Sequence, residues 1–402
     1  MGLDGREFPA SDPDHKETMS MKNQRGFSLV ELLITMVIFV LVIVAASNIF
    51  LGLLTQFKQQ SKIAETNIEG MVGLQMLKAD IEQAGYGLPY DVNGATYAEA
   101  SGADAAAVGF NASAYNDSGA PGNPPRALLT GNSLTMTNAS DVLIVKATNV
   151  SINDTAQKWA YVTSTGVTTW TNSVGASITD ENFLSTDLVT VLMPQSGTNL
   201  KILQVSGTFY TTFGGIATSN FSPSAENEPF LVYGIAPTGT TPIMPFNRAD
   251  YYVRTPGTMP TQCAAGTGIL YKGTINHTAG GGNHFEYPLL DCVAAMKIVL
   301  ARDTNGDSIT DNWTTAGAWL PAPTAADIRS QLKEIRAYIL LHEGQRDASY
   351  TYTAQGADLL LGVDHIGVRD PDAGLLLLDY QVSDRNYRWK IYTMVITPYN
   401  LR

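Results

Sequence analysis

The stretch Gly26-Phe27-Ser28-Leu29-Val30-Glu31-Leu32-Leu33 leads into an unbroken apolar run, and everything else in the chain is read outward from it. Residues 32–54 contain no Asp, Glu, Lys, Arg or His. A helix rises about 1.5 Å per residue, so the run is long enough to cross a bilayer core. Its one carboxylate is Glu31, placed shortly after Gly26. A charge near hydrocarbon costs a few kcal/mol and persists where it finds a partner. No basic residue follows until Lys58, so that partner must come from another molecule. An uncleaved signal anchor with a snorkelling Glu is the bland alternative, and it explains neither the Gly-Phe junction nor the position of the acid.

Beyond the run, residues 55–84 keep helical character. Ile68, Met71, Leu74, Leu77 and Ile81 form an apolar stripe between polar positions. Gly85, Gly87 and Pro89 then supply the glycine and proline expected where a helix stops. Residues 27–84 therefore read as one helix, its first half embedded in membrane and its second half laid on a folded domain.

Lys22 and Arg25 precede the run with no acid between them, which keeps the leader (residues 1–26) cytoplasmic and sends the bulk of the chain across the membrane. Met19 and Met21 offer later starts than Met1. The composition is 44% hydrophobic and 15% charged, enough for a substantial core. With 37 acidic against 25 basic residues the net charge is −12, which disfavours a broad nucleic-acid surface. Cys263 and Cys292 are the only cysteines and fall in the exported part, where an oxidising compartment favours a disulfide. His277 and His284 lie between them, so a Cys-His-His-Cys zinc site is the competing reading.

Residues 85–140 read as a loop-rich insertion, since 93–140 is rich in Ala, Gly, Ser, Asn and Asp. From residue 141 to the end short β-branched and aromatic runs recur between turn residues: Val142 to Val145, Leu188 to Leu192, Ile202 to Val205, Phe230 to Tyr233, Tyr251 to Val253 and Ile269 to Tyr271. A strand over 296–300, an alternating one beginning at Ile335 and a last one over 387–397 complete the set. Thr324 is an N-cap with Asp327 three residues on, which predicts a short helix before Ile335. The fold class is α+β: a long N-terminal helix packed on an antiparallel sheet with large insertions.

The densest group of carboxylates is Asp303-Thr304-Asn305-Gly306-Asp307-Ser308-Ile309-Thr310-Asp311. Oxygen donors from Asp303, Asn305, Asp307, the Ile309 carbonyl and Asp311 match the spacing of an EF-hand-like calcium loop. Ser308 in place of Gly, and Thr314 in place of a bidentate Glu, depart from that pattern. A polar turn is the alternative, because Asn-Gly-Asp is a turn sequence in itself. Enzyme signatures are lacking: no His-Glu-x-x-His, no Gly-x-Ser-x-Gly and no phosphate loop, while His342 and His365 read as satisfied or exposed side chains. No organic cofactor is expected.

Lys22, Arg25, Gly26, Phe27, Ser28, the Leu29-Val30 pair and Glu31 resemble the start of type IV pilins. The resemblance implies cleavage by a prepilin peptidase between Gly26 and Phe27 and N-methylation of the new Phe27 amine. It also implies pairing of Glu31 with the Phe27 amine of a neighbouring subunit. Asn48 stands where major pilins commonly have a helix-breaking proline. The Glu82-to-Gly87 turn and the acidic loop resemble the PilW-type minor pilins, which implies a low-copy subunit that primes pilus assembly and sits near the tip. Implied partners are other minor pilins, the major pilin, the inner-membrane assembly machinery and a tip adhesin. The implied location is the inner membrane, with the bulk periplasmic, and then the pilus at the cell surface, with roles in adhesion or twitching motility. A minor pseudopilin of a type II secretion system shares every feature up to residue 84, and a tip adhesin binding through 93–140 is a further alternative.

Overall fold

The computed structural model describes residues 26, 28–102, 109–118, 122–132, 136–195, 200–218, 220–225, 228–278 and 282–401. Helix α1 spans Leu29–Glu82. Ser28 starts it by accepting the Glu31 amide on both its Oγ (3.2 Å) and its carbonyl (3.0 Å), the bonds an N-cap supplies. Within the apolar half, Thr35 and Thr55 turn their hydroxyls back onto the carbonyls of Leu32 and Leu51, each at 2.9 Å, which satisfies both groups inside the helix where water is absent. The helix is followed by Gly85 and Gly87, with φ of +86° and +66°, a conformation that costs a glycine nothing.

The described chain divides at Lys58. Residues 29–58 of α1 are exposed along almost their whole length. In the unit that begins at Gln59, the end of α1 lies on a sheet through Gly70, Gly73, Leu74, Leu77 and Ile81. This corrects the expected stripe: Ile68 and Met71 are 60% and 59% exposed. A count of apolar side chains overlooks the glycines, which mark the side of closest approach. A Cβ added to Gly73 would stand 2.2 Å from the Leu289 carbonyl oxygen, so only the absence of a side chain lets the helix come this near.

The strands, in chain order, are β1 (Leu128–Asn132), β2 (Asp141–Ala147), β3 (Trp159–Thr163), β4 (Gly166–Val167), β5 (Leu188–Pro194) and β6 (Lys201–Leu203). Next come β7 (Thr211–Thr212), β8 (Phe230–Ala236), β9 (Asn247–Arg254), β10 (Gly268–Ile275) and β11 (His284–Arg302). Then follow β12 (Asn312–Thr315), helix α2 (Ala325–Gln331), β13 (Leu332–Glu343), β14 (His365–Asp370), β15 (Leu375–Gln381) and β16 (Arg388–Ile396). The main sheet runs β1-β2-β9-β10-β11-β13-β16, with β12 also on β11, and every pairing is antiparallel. A second sheet, β4-β3-β8-β5-β6 with β7 on β5, lies in sequence between β2 and β9, and β14 and β15 form a separate hairpin.

The pairings Leu143↔Tyr251 and Val145↔Ala249 set one face of the main sheet, and Lys146↔Arg248 and Ile144↔Asp250 set the other. On the first face α1 is pinned by Asp80, which takes the Lys272 ammonium at 2.5 Å and the Tyr251 hydroxyl. Lys272 and Tyr251 are direct cross-strand partners, so one carboxylate ties helix to sheet at a single rung. Burial raises the Asp80 carboxyl above its usual value, and Lys272 works against that shift.

The second face is covered by residues from the stretch expected to be loops. Tyr97, Phe110 and Ala112 are buried there, and the same stretch contributes β1 to the edge of the sheet. Small residues let this strap lie flat, and its charges pair with charges on the strands. Lys146, fully buried, meets Glu99 and Asp117 at 2.6 Å each, and Arg126 closes on Asp117 from the rim. Arg248, also fully buried, forks onto Asp250 at 2.7 and 2.9 Å and reaches Glu99 at 3.3 Å, Asn116 Oδ1 at 2.7 Å and the Ala112 carbonyl at 2.9 Å. Burial opposes the charge on Asp250, but Arg248 and His284 outweigh it and hold the carboxyl below its usual value.

Candidate functional site

The segment that carries the assembly chemistry is the start of α1. Gly26 and Glu31 are exposed; Phe27, the other half of the expected processing and assembly pair, lies outside the described residues. Glu31 sits in the first helical turn, where the helix dipole favours a carboxylate. Among the described residues no cation pairs with it. Around and beyond it the large apolar side chains stand open: Leu29 is 78% exposed, Phe39 65% and Phe50 61%. Leaving such a side chain in water forfeits about 1.5–3 kcal/mol each, so this length of helix requires lipid or other helices around it. The arrangement can do one thing well, which is to pack against like helices while offering a single acid to a cation that another chain provides.

Cys263 and Cys292 form a disulfide with an S–S distance of 2.03 Å. Their sulfurs are bonded to each other, which removes the thiolates that the zinc reading required. The histidines between them are separately occupied. His277 accepts the Ile243 amide on Nδ1 at 3.3 Å and donates from Nε2 to Asn247 Oδ1 at 2.8 Å, the Asn247 amide nitrogen being committed to the Thr148 and Ile235 carbonyls. Burial pulls its pKa down to about 4. His284 bonds to Asp250 at 2.9 Å.

The acidic loop spends its oxygens on itself. Asp303 accepts the Gly306 and Ser308 amides at 2.6 and 2.8 Å and lies 3.4 Å from Lys333. Burial opposes its charge, but those two amides and Lys333 together outweigh it, so its carboxyl titrates below the ordinary range. Asp307 accepts the Ile309 amide and the Asn305 side-chain amide, and Asp311 accepts Thr304 through both backbone and hydroxyl. Asp303, Asn305, Asp307, Ile309 and Asp311 thus form a chain of turn bonds, and among the described residues no three His, Cys, Asp or Glu side chains gather where they could hold a metal.

The two other histidines among the described residues are also bonded: His342 accepts the Ala264 amide on Nε2 at 2.8 Å, and His365 bonds to Asp379 at 2.7 Å. Sequence reasoning missed the contact glycines Gly70 and Gly73. Their spacing of three, in step with Leu74 and Leu77, is the signal that could have found them.

Residues 21–47 match the family described as the prokaryotic N-terminal methylation motif. The match supports a type IV pilin-like or pseudopilin-like protein, processed by a prepilin peptidase and held in the membrane by its apolar helix before assembly. No curated protein and no solved structure matches the chain.

Proposed function

We propose that the chain is a PilW-type minor pilin that primes assembly of a type IV pilus and stays near its tip. One observation carries the reading: an exposed, unpaired Glu31 one helical turn inside a Gly26-Phe27 junction, on a helix of unburied apolar residues. After cleavage the Phe27 amine supplies the cation that Glu31 lacks, one subunit's amine meeting the next subunit's acid as the helices stack. The large unit from Gln59 to Arg402 supports an end position, because a unit of that size is easier to place on the end of a filament than to repeat along it. A minor pseudopilin of a type II secretion system would use the same helix chemistry.

The test is deletion of the chain in its host, with surface pili counted by electron microscopy and exported enzymes assayed in the medium. Loss of pili with secretion intact, restored by the parent and not by Glu31→Ala, is the expected result. Loss of secretion with normal pili would transfer the chain to the secretion system. The mature protein should begin at a methylated Phe27 by mass spectrometry, and an uncleaved amino end would remove the proposal altogether.

A further inference from the structure

A groove of about 490 Å³ opens between α2 and the strap on the second face of the sheet, bordered by Tyr90, Asn123, Arg126, Thr324 and Arg329, a volume in the range of small-molecule sites. Two cations converge on the ring of Tyr90. The Arg329 guanidinium carbon lies 4.0 Å from the ring centroid and the Lys201 ammonium 5.5 Å from it. The backbones are tied together as well, the Tyr90 amide donating to the Lys201 carbonyl at 2.8 Å. Both cations are half-buried.

What sets Arg329 apart is its lack of company. Every other arginine among the described residues has a hydrogen bond or an ion pair: Arg126, Arg248, Arg254, Arg302, Arg336, Arg346, Arg369, Arg385 and Arg388. Arg329 has neither among the described residues, and the same is true of the Lys201 ammonium. This occurs in a chain with 37 acids and 25 bases, where carboxylates are not scarce. Burial pushes both groups below their ordinary pKa values.

The acids that border the groove are already engaged. Asp117 is held by Lys146 and Arg126, and Asp327 closes the capping box of α2 with Thr324. Arg329 is therefore the unspent cation on the groove wall, and a planar guanidinium with free N–H groups matches a carboxylate, sulfate or phosphate edge to edge. A neighbouring pocket of about 200 Å³ shares Arg126 and Pro323 with the groove and is lined by Tyr115, Leu128, Trp319 and Leu320. It offers room for an apolar body attached to the anionic group.

We propose that this groove binds a small organic anion, with Arg329 holding its oxyanion group and the Tyr115–Trp319 pocket holding its apolar part. The site is independent of how α1 assembles. The experiment is calorimetric titration of the full chain in a neutral detergent with phenyl sulfate, inorganic sulfate and benzyl alcohol. Phenyl sulfate should bind more tightly than inorganic sulfate, with no heat from benzyl alcohol. Arg329→Gln should weaken phenyl sulfate roughly tenfold or more, as loss of a charge-assisted bond does, and Arg329→Lys should recover part of it. Because Arg329 has no hydrogen bond or ion pair among the described residues, and its contact with the Tyr90 ring contributes about 0.5–1 kcal/mol, the variants should keep the parent's circular dichroism and melt within about 2 °C of it. Absence of phenyl sulfate binding, equal binding by Arg329→Gln, or equal affinity for inorganic sulfate and phenyl sulfate would each overturn the proposal.

Discussion

Replacing Arg248 by Met isolates what the buried charges contribute. The guanidinium is fully buried and bonds to Asp250, Glu99, Asn116 and the Ala112 carbonyl. Methionine fills most of the same space, so little cavity opens and the loss is electrostatic. Asp250 keeps only His284 and Glu99 keeps only Lys146 as charged partners. Removing one member of a buried ion pair costs about 3–5 kcal/mol, against a total stability of roughly 5–15 kcal/mol for a folded unit. At about 2 °C per kcal/mol for a unit of this size, thermal unfolding of the full chain in detergent, followed by circular dichroism, should fall by roughly 6–10 °C. The drop should be nearly independent of salt, since water and ions do not reach the site. Adding Asp250→Asn to Arg248→Met removes one orphaned charge and should recover a sizeable part of the loss. A single variant that melts within about 1 °C of the parent, or a double variant less stable than the single, would refute the reasoning.

Reduction of the Cys263–Cys292 bridge, or its replacement by Ser at both positions, releases a loop of 29 residues; the expected loss is about 3–4 kcal/mol on the chain-entropy scale, read from denaturant midpoints. His277 and His342 are both buried, and their pKa values are pulled down to about 4. The unfolded chain, with ordinary values near 6.5, binds more protons between those limits. Stability is therefore full above about pH 6.5 and declines as pH falls towards 4, by roughly 2–3 kcal/mol for each ring; His277→Asn should flatten part of that slope in denaturant titrations at successive pH values. Asp303→Ala should lower the melting temperature equally with and without calcium, because the amides it accepts belong to the loop itself. A calcium-dependent rise in the parent that the variant loses would instead assign a metal to the loop.

The sheet was largely legible because its strands are short runs of β-branched and aromatic residues between turn formers. The runs at Val142, Leu188, Phe230, Tyr251 and Ile269 all fall within strands, and Thr324 with Asp327 forms the capping box that opens α2. Length was harder to read: β11 extends from His284 to Arg302, although only 296–300 reads as a strand in the sequence. What makes its first residues a strand is pairing with β10, which no local pattern encodes. The strap was misjudged for a related reason. Glu99, Asp117, Lys146 and Arg248 are residues that ordinarily face water, and their burial depends on partners that lie from 29 to 149 positions away. Glu31 stood out in the sequence because its whole surrounding is apolar, so one charged letter decided its meaning without any tertiary contact.

Ala147, the last residue of β2, pairs directly with Asn247, the first residue of β9. The intervening excursion, second sheet included, thus leaves and rejoins the main ladder at one rung. Lengthening or shortening such a detour changes closure entropy slowly, by about 0.6 kcal/mol for each doubling, and shifts no strand of the main sheet by a residue. The detour is a place where the molecule can be enlarged or remodelled while the platform that receives the helix keeps its register.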